Sequence, residues 1–320
     1  MSLPTLHCIG HITLDTFLLL ENAELNCDIN HKNCKICFEF GSKIPVKETH
    51  YAMGGGAANV SIGVKKLGLN TQIYSTIGND PKGLDIKEGL LAGGVDISHL
   101  AFDNNPTDQS TVAVFSNERT IFTYAYPRNL KINIDSAEYI YLSSVGGDVS
   151  HAYSHIKNIM NKSPKPKLFY NPGSRELKFA MSEVLNLIEC VDYLIINVEE
   201  ACSILDPSLN RDDVEINDLL NLLIHRGAEN VVMTDGENGV YSLIDGKYLF
   251  MPSEKVRVIE KTGAGDAFTS GFVSGVMYGL SPKISIQRGI KNSASAITKI
   301  GAQNGLLGKE EMESLLDLAG

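Results

Sequence analysis

The chain predicts an α/β fold: an open, mostly parallel sheet with helices on both faces, plus a small β-strand cover. Three observations predict it. Between residues 138 and 234, short apolar runs alternate with stretches whose apolar residues fall three and four apart, as in consecutive βα units. Two glycine clusters each run straight into helical spacing. Two further regions, 21–49 and 96–126, carry strand-like sequence with no convincing helix.

Taken in chain order, Leu6–Thr13 reads as the opening strand. Gly54-Gly55-Gly56-Ala57-Ala58-Asn59 leads into Val60, Val64 and Leu67 at helical spacing, with Gly68 as the stop. Val112–Phe115 and Thr120–Tyr124 flank Ser116-Asn117-Glu118-Arg119, a hairpin with a four-residue loop. Tyr139–Ser143, Leu168–Tyr170, Tyr193–Ile196 and Val231–Thr234 read as strands buried on both faces. Ser150–Met160, Arg175–Ile188 and Ile216–His225 are the helices between them. No Pro/Gly/Ser linker sets the cover regions apart. They are expected to be insertions, strands from about 16–50 and 96–126, within a single domain over residues 1–320.

The 320 residues carry 28 Lys+Arg against 38 Asp+Glu, a net charge of −10, and 43% are hydrophobic, ample for a core. The acidic balance argues against nucleic acid or an anionic membrane as the main partner. No apolar run approaches the roughly 20 residues that span a bilayer. No Lys or Arg precedes Lys32, and Asp15 interrupts the first apolar segment, so no signal peptide is expected. Six cysteines are too sparse for a disulfide scaffold. These features predict a cytoplasmic protein.

Both glycine clusters could carry chemistry. Three glycines before a helix leave N–H groups uncovered for a ligand's oxygens, though a tight turn packing a helix on the sheet explains Gly54–Gly56 as well. In Lys261-Thr262-Gly263-Ala264-Gly265-Asp266, three N–H groups would converge at a helix start, where the macrodipole favours phosphate. Asp266 would then either cap the helix or take the proton from an attacking hydroxyl. There is no G-x-x-x-x-G-K-[ST], H-E-x-x-H or G-x-S-x-G, and Asn59 stands where a Rossmann G-x-G-x-x-G needs Gly or Ala.

Taken together, the two clusters resemble the signatures of the ribokinase-like (PfkB) carbohydrate kinase family. Gly54–Gly68 corresponds to the N-terminal signature and Thr262–Gly271 to the C-terminal one. Asn171-Pro172, Asn197-Val198-Glu199-Glu200 and Thr234-Asp235-Gly236-Glu237-Asn238-Gly239 lie between them in family order. The resemblance implies a ribokinase-like fold whose cover is a lid, and an ATP- and Mg²⁺-dependent kinase acting on a sugar or nucleoside. It implies Asp266 as catalytic base and Gly263, Ala264 and Gly265 as the anion hole. Asn197 and Glu200 would organise Mg²⁺ and phosphates; by themselves they read as an N-cap and a capping-box Glu. Thr234, Gly236 and Gly239 would line the nucleotide side, and Asn292 would meet the adenine edge or sit on a helix surface. Asp15 would bind a diol with its two acceptor oxygens, helped by Gly55, Gly56 and Asn59.

The chain departs from the pattern at Glu260-Lys261, where the family commonly has Asp-Thr. Lys261 is expected to place an ammonium where a monovalent cation would act, which puts potassium activation in doubt. Cys27, Cys34 and Cys37, with His31, offer four possible Zn²⁺ ligands, against which free thiols in lid strands are the plainer reading. No basic cluster marks a phosphorylated acceptor. Arg175 alone could face one. A neutral ribose- or fructose-like sugar phosphorylated on a primary hydroxyl is expected. A nucleoside, with Phe38, Phe40, Phe115 and Phe122 as base pocket, and a non-catalytic sensor are the alternatives. Exposed lid edges make a homodimer through the lid plausible.

Overall fold

Alternation of side chains along short strands sets the architecture. The computed structural model describes residues 3–28, 34–116, 118–147, 149–209 and 211–317. Seven strands lie parallel: β1 (Thr5–Ile9), β6 (Asn70–Gly78), β7 (Asp96–Asp103), β10 (Tyr139–Leu142), β11 (Lys167–Tyr170), β12 (Tyr193–Asn197) and β13 (Asn230–Thr234). The hairpin β14 (Val240–Ile244) and β15 (Lys247–Met251) joins antiparallel to β13, giving the order β15-β14-β13-β12-β11-β10-β1-β6-β7. Successive residues point to opposite faces. Leu168, Leu194, Ile196 and Val231 enter one core, and Phe169, Ile195 and Val232 enter the other. Burial on both sides is why these strands read as continuous apolar runs.

The first core is covered by α3 (Val149–Met160), α4 (Ser174–Phe179), α5 (Met181–Ile188), α6 (Val198–Leu205) and α7 (Ile216–His225). The opposite face carries α1 (Gly56–Lys66), α2 (Pro81–Ala92), α8 (Ala264–Met277) and α9 (Pro282–Ala296). On α10 (Lys309–Asp317), Met312 packs with Leu67 and Leu307. A separate four-stranded sheet, the expected lid, has the order β5-β2-β8-β9 and combines β2 (Thr13–Leu20), β5 (Val46–Gly54), β8 (Gln109–Phe115) and β9 (Glu118–Tyr124). Chain enters it just after the carboxyl ends of β1 and β7. A ribbon of β3 (Glu24–Cys27) and β4 (Cys34–Cys37) lies between β2 and β5 in the chain.

The fold is the one expected, with local corrections. Leu6–Thr13 is not one strand: the chain bends after Ile9 and Thr13 opens the lid. Gly10 permits the bend, since a Cβ there would stand 2.8 Å from the Ser144 carbonyl. Asp96–Asp103 was expected in the lid but is an edge strand of the main sheet; its outer positions are exposed, so it lacks the apolar run. Glu118 and Arg119 belong to β9 rather than to a loop, because Phe115 pairs directly with Glu118. The helix expected over Arg175–Ile188 breaks at Ala180, whose φ of −142° is not helical. Strands β6, β14 and β15 were not foreseen.

The free-thiol reading of the lid cysteines holds for Cys37 alone. Cys27 and Cys34 face each other across the β3–β4 ladder, with Cα atoms 4.0 Å apart, and form a disulfide. Cys37 stays free, and His31 lies outside the described residues. Among the described residues no group of three or more His, Cys, Asp and Glu could hold a metal ion. Nor is any described helix long and apolar enough to cross a membrane.

Candidate active site

A change of direction in the strand order creates the site. From β1 the chain passes to β6 on one side and later to β10 on the other, which leaves a crevice at the carboxyl ends of β1 and β10. Its base is tied by backbone bonds: His11 N–H to the Ser144 carbonyl at 2.8 Å and Ser143 N–H to that of Ile9 at 2.9 Å. The start of α1 comes in tightly. A Cβ at Gly54 would stand 2.1 Å from Asp15 Oδ2, and one at Gly56 would stand 2.2 Å from Ser143 Oγ and 3.2 Å from Asp266 Oδ1. Gly55 has a φ of 92°, which favours glycine. The triplet therefore lets α1 approach two carboxylates.

Asp15 is buried in the middle of the lid sheet, opposite Ala52 of β5 and Ser110 of β8. Thr13 Oγ1 donates to its Oδ1 at 2.8 Å. Burial raises its pKa, and hydrogen bonds from Thr13 and Ser110 oppose the rise. Asp266 sits in the first turn of α8, just past Gly263, whose φ is 78°. Asn59 Nδ2 donates to Asp266 Oδ2 at 2.8 Å, while Gln303 Nε2 holds Asn59 Oδ1 at 2.8 Å. Desolvation raises the Asp266 pKa against the Asn59 bond; the charge of Asp15 adds to the rise and His11 opposes it. Two carboxylates and an imidazole thus share one electrostatic neighbourhood.

Beside Asp266 opens a cavity of about 620 Å³, bordered by Gly263, Ala264, Gly265, Thr234 and Gly236. A Cβ on Gly265 would meet nothing within 4 Å, so the helix start faces open space. The positive end of α8 faces this opening, which suits an anion, and the Ala264 amide donates to the Lys261 carbonyl at 3.2 Å. Arg119 reaches the same cavity from the lid, as does Lys261. Lys261 does not occupy an interior cation position as expected; its ammonium pairs with Glu118 of β9 and is half exposed. Glu260 is buried instead. Its Oε1 accepts from Thr262 N–H at 2.6 Å and Thr262 Oγ1 at 2.5 Å, and its Oε2 has no partner.

The other expected residues divide. Asn197 and Glu200 form a reciprocal capping box on α6, at 2.7 and 3.0 Å. Asn197 still borders the cavity, and burial pushes the Glu200 carboxyl up to about 7. Gly239 does not border it; its φ of 112° turns the chain into β14. Asn292 is fully buried, and its placement at an adenine edge or on a helix surface is corrected. Its amide donates to the Ala267 carbonyl and Ser270 Oγ at 2.9 Å, and its oxygen accepts from Leu307 N–H at 2.9 Å. Both amide hydrogens are engaged and the side chain has no exposed surface, so it presents no group to a ligand. None of Phe38, Phe40, Phe115 and Phe122 borders the cavity, and Phe38, Phe40 and Phe122 are exposed. Sequence reasoning overlooked His11, Gln303 and Arg119. Of these only Arg119 had a signal, a cation at the tip of a cover hairpin.

A phosphate cradle at a helix start, with a hydrogen-bonded carboxylate one residue on and a second carboxylate across the crevice, belongs to a phosphotransferase acting on an alcohol. Residues 22–308 match the pfkB family of carbohydrate kinases. Fructoselysine 6-kinase of Escherichia coli strain K12 is 25% identical over 257 residues, 78% of this chain and 91% of that protein. The crystal structure of the nucleoside kinase of Methanocaldococcus jannaschii superposes with a TM-score of 0.79 at 21% identity, covering 99% of both chains. The ribokinase of Cryptococcus neoformans var. grubii serotype A, in complex with ADP, gives 0.80 at 18% identity, covering 98% of this chain and all of that one. The chain belongs to the pfkB family and is a ribokinase-type sugar or nucleoside kinase.

Proposed function

We propose that the protein transfers the γ-phosphoryl group of ATP to a primary hydroxyl of a small neutral sugar, ribose- or fructose-like, with Asp266 as general base. The observation that carries this reading is the Asn59–Asp266 bond, which orients a carboxylate of raised pKa beside the open start of α8. The ADP complex of the ribokinase-fold neighbour supports a nucleotide in the cavity. Two hydroxyls of the sugar would bind Asp15, whose position on the lid couples acceptor binding to lid closure.

The reacting hydroxyl would lie against Asp266, lose its proton to the free Oδ1, and attack in line. The N–H groups of Gly263–Gly265 would take up charge developing on the transferring group, and Arg119 would add a cation from the lid side. Glu200, which gives one oxygen to Asn197 N–H, and Glu199 at the cavity wall are the groups that fit Mg²⁺, through water. Bound Mg²⁺ supplies charge neutralisation on the nucleotide phosphates. With Lys261 paired to Glu118, the half-satisfied Glu260 carboxylate is the group left to attract a monovalent cation. A second copy would pair along β9, the lid edge on which every described residue is exposed.

ADP release measured over a panel of sugars and nucleosides tests the reading. Turnover with ribose or fructose and none with adenosine is expected. Preference for adenosine would replace the sugar by a nucleoside, and ligand stabilisation without ADP release would make the protein a sensor.

A further inference from the structure

A second cavity, of about 760 Å³, lies at the other end of α8, between its last turn, the first turn of α9 and α10. The 14 residues of α8, at about 1.5 Å each, set it about 20 Å from the glycine cradle. Arg288, Lys283 and Lys309 stand on its wall against a single carboxylate, Glu313. In a chain of net charge −10 this local excess of cations is unusual.

Arg288 is the key residue. It is 3% exposed; its Nε donates to Ser274 Oγ at 3.2 Å, and its Nη2 has no acceptor among the described residues. A buried guanidinium short of a partner is costly. The guanidinium lies over the Tyr278 ring at 5.4 Å, and Lys309 Nζ lies 5.6 Å from the same ring. Helix polarity agrees. The amides of Tyr278, Gly279 and Leu280 already take carbonyls at the end of α8, each at 3.0 Å. At the start of α9, Ser281 Oγ accepts from Ile284 N–H at 3.4 Å, and the Lys283 amide is left without an intrahelical acceptor.

We propose that this cavity binds a small organic anion, a phosphate or carboxylate carried on a flat apolar body. Arg288 and the start of α9 hold the charged group, since the guanidinium fork matches both oxyanions. Tyr278, Ile284 and Leu316 receive the body, and Lys283 and Lys309 flank the entrance. The volume falls within the range of small-ligand pockets. The site is independent of the phosphoryl-transfer reading.

Calorimetric titration of the full chain with phenyl phosphate, benzoate and benzyl alcohol tests it. Saturable binding of phenyl phosphate or benzoate, and none of the neutral alcohol, is expected; whichever anion binds more tightly identifies the oxyanion. Lys283→Glu and Lys309→Glu, both at exposed positions, should each weaken binding by about tenfold or more, as should Arg288→Gln where its melting temperature shows it folded. Gly265→Val should leave the affinity unchanged. Loss of binding in Gly265→Val with none in the lysine variants would put the anion in the kinase cradle and overturn the proposal. Equal binding of benzyl alcohol, or no binding of either anion at about 10 mM, would overturn it too.

Discussion

The Asn59 amide donates to the Asp266 carboxylate at 2.8 Å across 207 positions of the chain, joining the first turns of α1 and α8. That bond holds the Asp266 pKa below where burial would otherwise take it. Asn59→Ala should therefore raise the pKa further. A base with a higher pKa stays protonated to higher pH, so the acid limb of the kcat/KM profile should move upward. An unmoved limb would show that another group titrates.

Asp266→Asn keeps the shape and the capping ability and removes the proton acceptor. As the base, Asp266 should be worth roughly 10²–10⁴ in kcat, with folding and ATP binding preserved. Because burial disfavours the charged form, the Asn variant should melt no lower than the parent at neutral pH. Unchanged kcat in a stable variant would return Asp266 to a capping role. Measuring kcat and Tm on one preparation decides between the two.

Asp15→Ala should act mainly on the acceptor. Each charge-assisted hydrogen bond lost is worth about 1.5–3 kcal/mol, so sugar KM should rise at least about tenfold while ATP affinity holds. An unaltered sugar KM would remove Asp15 from the site.

The two outer glycines of the anion hole should respond differently to Val. At Gly265 a Cβ enters open space, so the variant should fold and lose turnover by obstructing the cradle. At Gly263 the φ of 78° and an Ala302 Cβ only 2.3 Å from the new Cβ make the substitution strained, at a cost of roughly 1–3 kcal/mol or more. Thermal melts should separate the pair; equal Tm values would contradict the packing described. Full turnover in Gly265→Val would place the phosphates elsewhere.

Glu200 has its carboxyl raised from 4.5 to about 7, first by desolvation and then by Glu199 and Asp266, against the Asn197 N–H bond. The folded state therefore prefers the protonated form. Its stabilising effect is full below the unfolded value and is lost as pH rises from about 4.5 to about 7. Glu200→Gln preserves the capping box and cannot ionise. The Tm of the parent should fall relative to that of the variant across this window, and a constant difference would mean the carboxyl titrates normally.

The sequence by itself determined the βα alternation, both glycine-led helix starts, the capping box and the position of Asp266. Each depends on periodicity or on turn chemistry within a few residues, and neighbours along the chain suffice for that. It could not determine which residues would meet. Asn292 reads as a free amide until Ala267, Ser270 and Leu307 close around it. Lys261 reads as an interior cation until β9 brings Glu118 to it, and Cys27 as a free thiol until Cys34 stands opposite. Asp96–Asp103 lacked an apolar run because an edge strand is buried less completely, a property of its place in the sheet rather than of its residues. The pairing of Asn59 with Asp266, and the unsatisfied guanidinium of Arg288, arise only when distant segments pack, because a polar group's partner is set by what the folded chain brings within about 3 Å.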